Sequence, residues 1–248
     1  TPVGVVRDLV GTPLLGVTSI SAGHSHTCAT TEDNEVYCWG NGQNGELADP
    51  DAGLRSWAKV IPGLDDAIGV MASYLGTCAW TAQGEAYCWG WNGDGHLGLG
   101  FYGADKPVPQ QVQGLTGAVD VEVGNQLVCA RATDGTITCW GDNDYGQLGV
   151  GSTTARSAPD EPVQMADGTP VSLEDLDVGG RFACGRSEGE LLCWGSDQFG
   201  QLGDGSTASP QNNPWVIPDS GALLEDITSS DLGFSHACGL DADGAVWC

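Results

Sequence analysis

Ten cysteines fall in five pairs, Cys28/Cys38, Cys78/Cys88, Cys129/Cys139, Cys184/Cys193 and Cys238/Cys248, whose first members stand 50, 51, 55 and 54 residues apart. A fixed period of this length dictates architecture, because each copy is one supersecondary unit that buries its apolar face only against its neighbours. Four of the second cysteines run straight into Trp-Gly, at Trp39, Trp89, Trp140 and Trp194. A glycine or serine stands five residues before each first cysteine: Gly23, Ser73, Gly124, Gly179 and Gly233. A glycine-rich turn follows each Trp-Gly, "NGQNGELA" (41–48), "WNGDGHLGLG" (91–100), "DNDYGQLGVG" (142–151) and "SDQFGQLGDG" (196–205). The copies run over about 1–49, 50–100, 101–151, 152–205 and 206–248. Residues 1–248 are therefore one repeat domain, or a fragment of one, rather than two unrelated domains.

Each copy holds short β-rich runs such as "GVTSISAG", "HTCATT" and "EVYCWG", punctuated by Gly, Asp and Asn, and no stretch of ten residues carries a helical period. About four short strands per copy is one blade of an all-β propeller. Placing the two cysteines of a pair opposite each other on an antiparallel hairpin forces the turn. It gives Ala82-Gln83-Gly84, Thr133-Asp134-Gly135 and Ala242-Asp243-Gly244, three-residue loops whose last residue must be left-handed, with Asn34 at that place in the first copy. Cys184/Cys193 is one residue shorter and gives a two-residue turn, Glu188-Gly189. Opposed residues lie roughly 4.5–5.5 Å apart at Cα, within reach of a disulfide. One bridge inside each hairpin is expected, each worth at most roughly 3 kcal/mol for a loop of this size. The competing use of cysteine, zinc binding, favours close Cys-x₂₋₄-Cys pairs, and none occurs. Disulfides place the chain in an oxidising, extracellular setting. The tryptophan after each pair is expected to pack between blades.

The chain carries 33 acidic residues against 8 Lys and Arg, a formal charge of −25. Nucleic-acid backbones bind clustered Lys and Arg, so this balance argues against them and against anionic membrane surfaces. It suits solubility, basic partners or weak cation binding. No apolar run approaches the ~18 residues of a membrane helix, and the start carries no signal-peptide pattern. The chain opens at Thr1 rather than methionine, in keeping with a removed leader or upstream region.

Sites of chemistry are sparse. "GLGFYG" (98–103) matches G-x-G-x-x-G, but the dinucleotide motif needs a helix next and "ADKPVPQ" follows. "GHSH" (23–26) lacks the closing glycine of a nucleophile elbow. His26 and His236 both stand two before a first cysteine, a recurrence that points to a structural hydrogen bond within the blade, while His24 does not recur. "DNDYG" (142–146) and "DADG" (241–244) do not continue into a calcium loop and read as turns, leaving only a weak calcium site open. No catalytic, cofactor or metal residues are assigned.

The quoted turns and the segments "GHSHTCATTEDNEVYCWGNGQNGEL" (23–47), "GTCAWTAQGEAYCWGWNGDGHLGLG" (76–100), "CARATDGTITCWGDNDYGQLGVG" (129–151), "CGRSEGELLCWGSDQFGQLGDG" (184–205) and "GFSHACGLDADGAVWC" (233–248) resemble the repeat of the regulator of chromosome condensation family. The resemblance covers nearly the whole chain and implies a β-propeller, seven-bladed in the founding member. Two departures stand out. The paired cysteines are absent from most members, which suggests a secreted bacterial-type branch. Five copies are present, so the chain is either a fragment of a longer ring or a five-bladed one, with "PVGVVRDLVG" (2–11) completing the last blade because it resembles "PVPQQVQGL" (107–115).

Equivalent loops of a propeller emerge on one face, so positions that differ between copies there are candidates for partner contact. The two residues after the recurring Gly/Ser are such positions: His24-Ser25, Tyr74-Leu75, Asn125-Gln126, Gly180-Arg181 and Phe234-Ser235. They include aromatics and Arg, the usual hot-spot types. A second set in the glycine-rich turns, Trp91, Phe101, Tyr102, Tyr145 and Phe199, is expected to pack. The expectation for function is a non-catalytic extracellular protein-binding module of adhesion, inhibitor or scaffold type. A structural subunit of an extracellular assembly is the alternative, and an enzyme ranks third. By resemblance, relatives of this architecture include a β-lactamase inhibitor and a guanine-nucleotide exchange factor. The exchange role needs an intracellular GTPase and fits poorly with five disulfides. Mass spectrometry of the native chain should show it lighter than its reduced form by ten hydrogens, one for each cysteine; free thiols would refute the pairing.

Overall fold

A computed structural model describes residues 4–51, 53–188, 190–216 and 227–248, and every regular element in them is a strand. Blade one consists of β1 (Val17–Ala22), β2 (His26–Thr31), β3 (Val36–Asn41) and β4 (Leu54–Val60), and blade two of β5 (Ala67–Ala72), β6 (Gly76–Thr81), β7 (Ala86–Gly90) and β8 (Lys106–Gln111). Blade three holds β9 (Ala118–Val123), β10 (Leu127–Ala132) and β11 (Ile137–Gly141). Blade four holds β12 (Asp177–Val178), β13 (Phe182–Ser187), β14 (Glu190–Gly195) and β15 (Gln211–Val216), and blade five β16 (Ile227–Leu232), β17 (Ala237–Asp241) and β18 (Val246–Trp247). Each blade is an antiparallel meander in chain order. The outermost place in blade three is taken by single bridges, Thr138 to Pro162 and Gly141 to Arg156.

The hairpin register is the one the cysteine spacing predicts. Cys28 faces Cys38, Cys78 faces Cys88, Cys129 faces Cys139 and Cys184 faces Cys193. All five disulfides are formed, with Cα atoms 4.1–4.2 Å apart, somewhat closer than the expected spacing. The turns close as three-residue loops. The N–H groups of Asn34, Gly84, Gly135 and Gly244 donate to the carbonyls of Thr31, Thr81, Ala132 and Asp241. Those four residues are left-handed, with φ of 60°, 80°, 83° and 83°. In the shorter fourth hairpin Ser187 opposes Glu190 and Glu188 takes φ 53°; Gly189 lies outside the described residues.

The apolar core is divided into slabs between successive blades rather than gathered in one centre. Leu47, Ile61, Val70 and Trp89 pack between blades one and two; Leu97, Val112, Val121 and Trp140 between two and three; Leu148, Val163, Leu173 and Trp194 between three and four. Phe182, Leu202 and Cys193 form the slab beneath blade five. Trp89, Trp140 and Trp194 are wholly buried, and each indole Nε1–H donates to a carbonyl of the preceding blade's glycine-rich turn: Glu46 at 2.8 Å, His96 at 2.9 Å and Gln147 at 3.0 Å. The tryptophan after the second cysteine is thus an inter-blade hook, as expected from its place. Trp39, with no copy before it in the chain, is only half-buried.

The amino-terminal stretch does not complete the last blade. Val6 pairs with Pro13, and its carbonyl accepts the Ala58 N–H at 2.8 Å, so the segment lies along β4 of blade one. The segment leads within a few residues into β1 of the same blade, so the outer edge of β4 lies within its reach and offers backbone groups to pair with. Replacing Trp140 by Ala should cost about 3–5 kcal/mol in a denaturant titration, and by Phe clearly less, since Phe fills part of the space and leaves a smaller cavity beside the lost donor.

Candidate partner-binding face

The loops joining each first strand to its second are two-residue hairpins. The N–H groups of Gly23, Ser73, Gly124, Gly179 and Gly233 donate to the carbonyls of His26, Gly76, Leu127, Phe182 and His236, at 2.7–2.9 Å. The two residues between, those that differ from copy to copy, therefore sit at the tips. Glycine recurs before them because the inner strands touch through backbone. A Cβ on Gly23 would lie 2.1 Å from the Ser73 carbonyl oxygen, and one on Gly124 2.4 Å from that of Gly179.

The structure splits the two tip positions. The first residues, His24, Tyr74, Asn125, Gly180 and Phe234, all line one cavity of about 320 Å³ at the mouth of the central axis. Backbone bonds tie these tips together around the axis: His24 N–H to the Ser73 carbonyl at 3.0 Å, Asn125 to Gly180 at 3.2 Å and Gly180 to Phe234 at 3.2 Å. The His24 and Tyr74 rings meet in a tilted contact with centroids 4.6 Å apart. Tyr74 is 45% exposed and Phe234 65%, and a side chain at Gly180 would strike the Phe234 ring. The second residues turn away. The carbonyls of Ser25, Leu75, Gln126 and Arg181 accept the N–H groups of Asn41, Trp91, Asp142 and Ser196, anchoring the glycine-rich turns. The Gln126 amide donates to Asp94, and the Arg181 guanidinium lies 4.8 Å over the Tyr145 ring. Ser235 lines a separate groove between blades four and five with Phe199, Leu202, His236 and Trp247.

The aromatics of the glycine-rich turns do not all pack. Trp91 lies against His96 and Tyr145 beneath Arg181, but Phe101, Tyr102 and Phe199 are exposed, Phe199 by 74%. Each stands beside a glycine at the tip of its turn. Lys106 Nζ sits 5.1 Å over the Phe101 ring, and the Tyr102 hydroxyl donates to the Ala155 carbonyl at 2.9 Å. Asn92 and Asn143 and, in blade four, Asp197 hold these turns by accepting the N–H of Leu97, Leu148 and Leu202.

His26 is structural, though its bond crosses blades instead of staying within one. Nε2 meets the Thr77 hydroxyl at 2.8 Å, which in turn donates to the Glu46 carbonyl at 3.2 Å. His26 and His236 both fold beneath the hairpin glycine ahead of them. Burial holds the His26 imidazole down at about 4, against an opposing pull from Glu46, and burial alone puts His96 at about 4. His96 occupies the place of Gln147 and Gln201, whose side-chain oxygens accept the N–H of Tyr145 and Phe199 at 2.9 Å; both of its own ring nitrogens lack a partner.

A row of residues that spacing alone did not single out runs behind the cavity wall: Ser21, Met71, Glu122, Asp177 and Asp231, each two before the recurring Gly/Ser. Burial, and then the charges of Asp120, Asp177 and Asp231, push the Glu122 carboxyl up to about 8. Burial puts Asp177 at about 6 despite a hydrogen bond from the Ser230 hydroxyl. Reading that column across the five copies is the signal that finds them. Elsewhere the acidic turns are occupied by local bonds. Asp142 accepts the Asp144 N–H and the Gln147 amide, and Asp241 accepts the N–H groups of Asp243 and Ala245 and the Trp247 indole. No group of three His, Cys, Asp or Glu among the described residues could hold a metal ion, and no described helix is long and apolar enough to cross a membrane. Residues 98–103 form a loop leading into strand β8 rather than a helix.

Comparison with known proteins agrees with this architecture. Two profiles described as Regulator of chromosome condensation (RCC1) repeat match, one over residues 17–46 and 118–147, the other over 83–131, 134–186 and 188–240. The chain belongs to this repeat family. It is similar to the human E3 ubiquitin-protein ligase HERC2, 32% identical over 212 residues, which is 84% of this chain and 4% of that protein. Human WBSCR16 superposes with a TM-score of 0.79 at 21% identity, over 93% of this chain and 60% of that one. Yeast RCC1 (Prp20), solved with Kap60 bound, superposes at 0.74 and 22% identity, over 93% and 55%. The chain thus spans about three-fifths or less of each of these.

The two buried histidines fix a pH response. Their folded values lie below the ordinary 6.5, so between about pH 6.5 and 4 the unfolded chain binds protons more tightly and stability falls as pH drops. His96→Gln should raise the denaturation midpoint by supplying the acceptor that Gln147 and Gln201 supply, and should make the acid-side fall shallower. A pH series of unfolding curves with unchanged slope would contradict it.

Proposed function

We propose that the chain is a non-catalytic, extracellular protein-binding propeller whose partner docks on the face that carries the first-to-second-strand loops. The carrying observation is convergence. Five tip residues that vary between otherwise similar copies, His24, Tyr74, Asn125, Gly180 and Phe234, meet around one cavity, with exposed aromatics at its rim. Rigid elements present adaptable tips, the usual arrangement for recognition. Similarity to yeast RCC1 (Prp20), solved with Kap60 bound to it, supports a protein partner. The extracellular setting is supported by five disulfides with no free cysteine. An exchange role on an intracellular GTPase fits this compartment poorly. Service as a structural subunit is the other reading, and it would show as self-association without ligand in sedimentation.

The test begins with a pull-down from the native extracellular medium to obtain a partner. Replacing Tyr74, Arg181 and Phe234 together by Ala should then abolish binding while leaving the melting temperature nearly unchanged. Unaltered binding would discard this face.

A further inference from the structure

We infer that the axial mouth receives a Lys or Arg side chain from a basic segment of the protein partner, held against the rings of Tyr74 and Phe234. This rests on the face being the partner surface and names the chemistry that surface selects. Three observations carry it.

The chain has four times as many carboxylates as Lys and Arg, and its few cations are already engaged away from the axis. Arg55 and Lys59 share Asp49, Arg131 reaches Asp120, Arg156 holds Asp160 and Glu161, and Arg186 holds Asp175. Arg7 lies beside Tyr37, Lys106 on Phe101 and Arg181 on Tyr145. None of the cavity's lining residues is Lys or Arg.

Immediately behind that lining, Glu122, Asp177 and Asp231 stand on three successive inner strands, close enough that each raises the proton affinity of Glu122 or is raised with it. Among the described residues no cation forms an ion pair with any of the three. With Glu122 holding its proton near neutral pH, the negative charge of this wall sits on Asp177 and Asp231, and a partner cation would offset it.

The same face already shows the contact in question twice. Lys106 over Phe101 and Arg181 over Tyr145 are cations on aromatic faces at 5.1 and 4.8 Å. Tyr74 and Phe234 flank the cavity without such a cation. A Lys or Arg stem passing between them would bury its methylenes against the rings and bring its charged head towards the acidic wall.

The test uses the oxidised 248-residue chain and a fluorescein-labelled peptide of alternating Lys and Gly, with a Gln–Gly peptide as the neutral control, read by anisotropy. Binding of the Lys peptide is expected, weakening several-fold between 50 and 500 mM salt. Tyr74→Ala/Phe234→Ala should weaken it at least tenfold, and Asp177→Asn/Asp231→Asn several-fold, with melting temperatures recorded for every variant. Equal binding of the neutral peptide, or Lys-peptide binding that both pairs of substitutions leave unchanged, would overturn the inference. Failure of the Lys peptide alongside loss of the native partner in the Tyr74/Arg181/Phe234 variant would overturn the cation while keeping the face. Retention of the native partner by that variant would remove the face itself.

Discussion

The bond on which the rest depends is the one from an indole N–H to a carbonyl of the blade before it. Each blade alone is a small meander with two apolar faces, and a sheet of three or four short strands cannot bury both. Trp89, Trp140 and Trp194 solve this by reaching across, filling the gap beside Leu47, Leu97 and Leu148 and donating to a carbonyl of the turn there. Because the acceptor is backbone, its residue is free to vary: Glu46, His96 and Gln147 all serve. The hook also ties each of these blades to the one before it in the chain.

Much of this was legible in the chain. The left-handed loop ends at Asn34, Gly84, Gly135 and Gly244 follow from counting residues between cysteines, because an antiparallel pair of fixed register leaves one loop length. The disulfides follow from the same count. The tip residues were visible as a variable column inside a constant frame. What the spacing could not show is direction. His24 and Ser25 are equally variable, yet only the first of each pair faces the axis, since the carbonyl of the second is engaged by the glycine-rich turn. Nor could it place Phe101 and Phe199 outside, because a ring beside glycine packs or protrudes according to the neighbouring blade. The bond of His26 to Thr77 likewise lies between copies, where a within-repeat reading has no view.

Packing and the proposed recognition are separated along each inner hairpin. In four copies a glycine before the tip lies where a Cβ would strike a neighbouring backbone or ring, and Ser73 takes that place in blade two, whereas the tip residue itself lines the cavity. The carboxylates at Glu122 and Asp177 are the exception. Their burial without a cation costs stability, and a bound positive charge on this face would recover part of it.

The position of the disulfides has a mechanical consequence. Every bridge joins neighbouring strands of one blade, and none ties one blade to the next. Under tension the inter-blade slabs part first, since only packing and single hydrogen bonds resist there, while each stapled hairpin stays closed. A loop of this size withholds about 35 Å of contour, so a pulled chain would lengthen in blade-sized steps, each short by that amount. Reducing the bridges would add length to every step without changing how many there are, which makes redox state a control on reach rather than on the order of yielding.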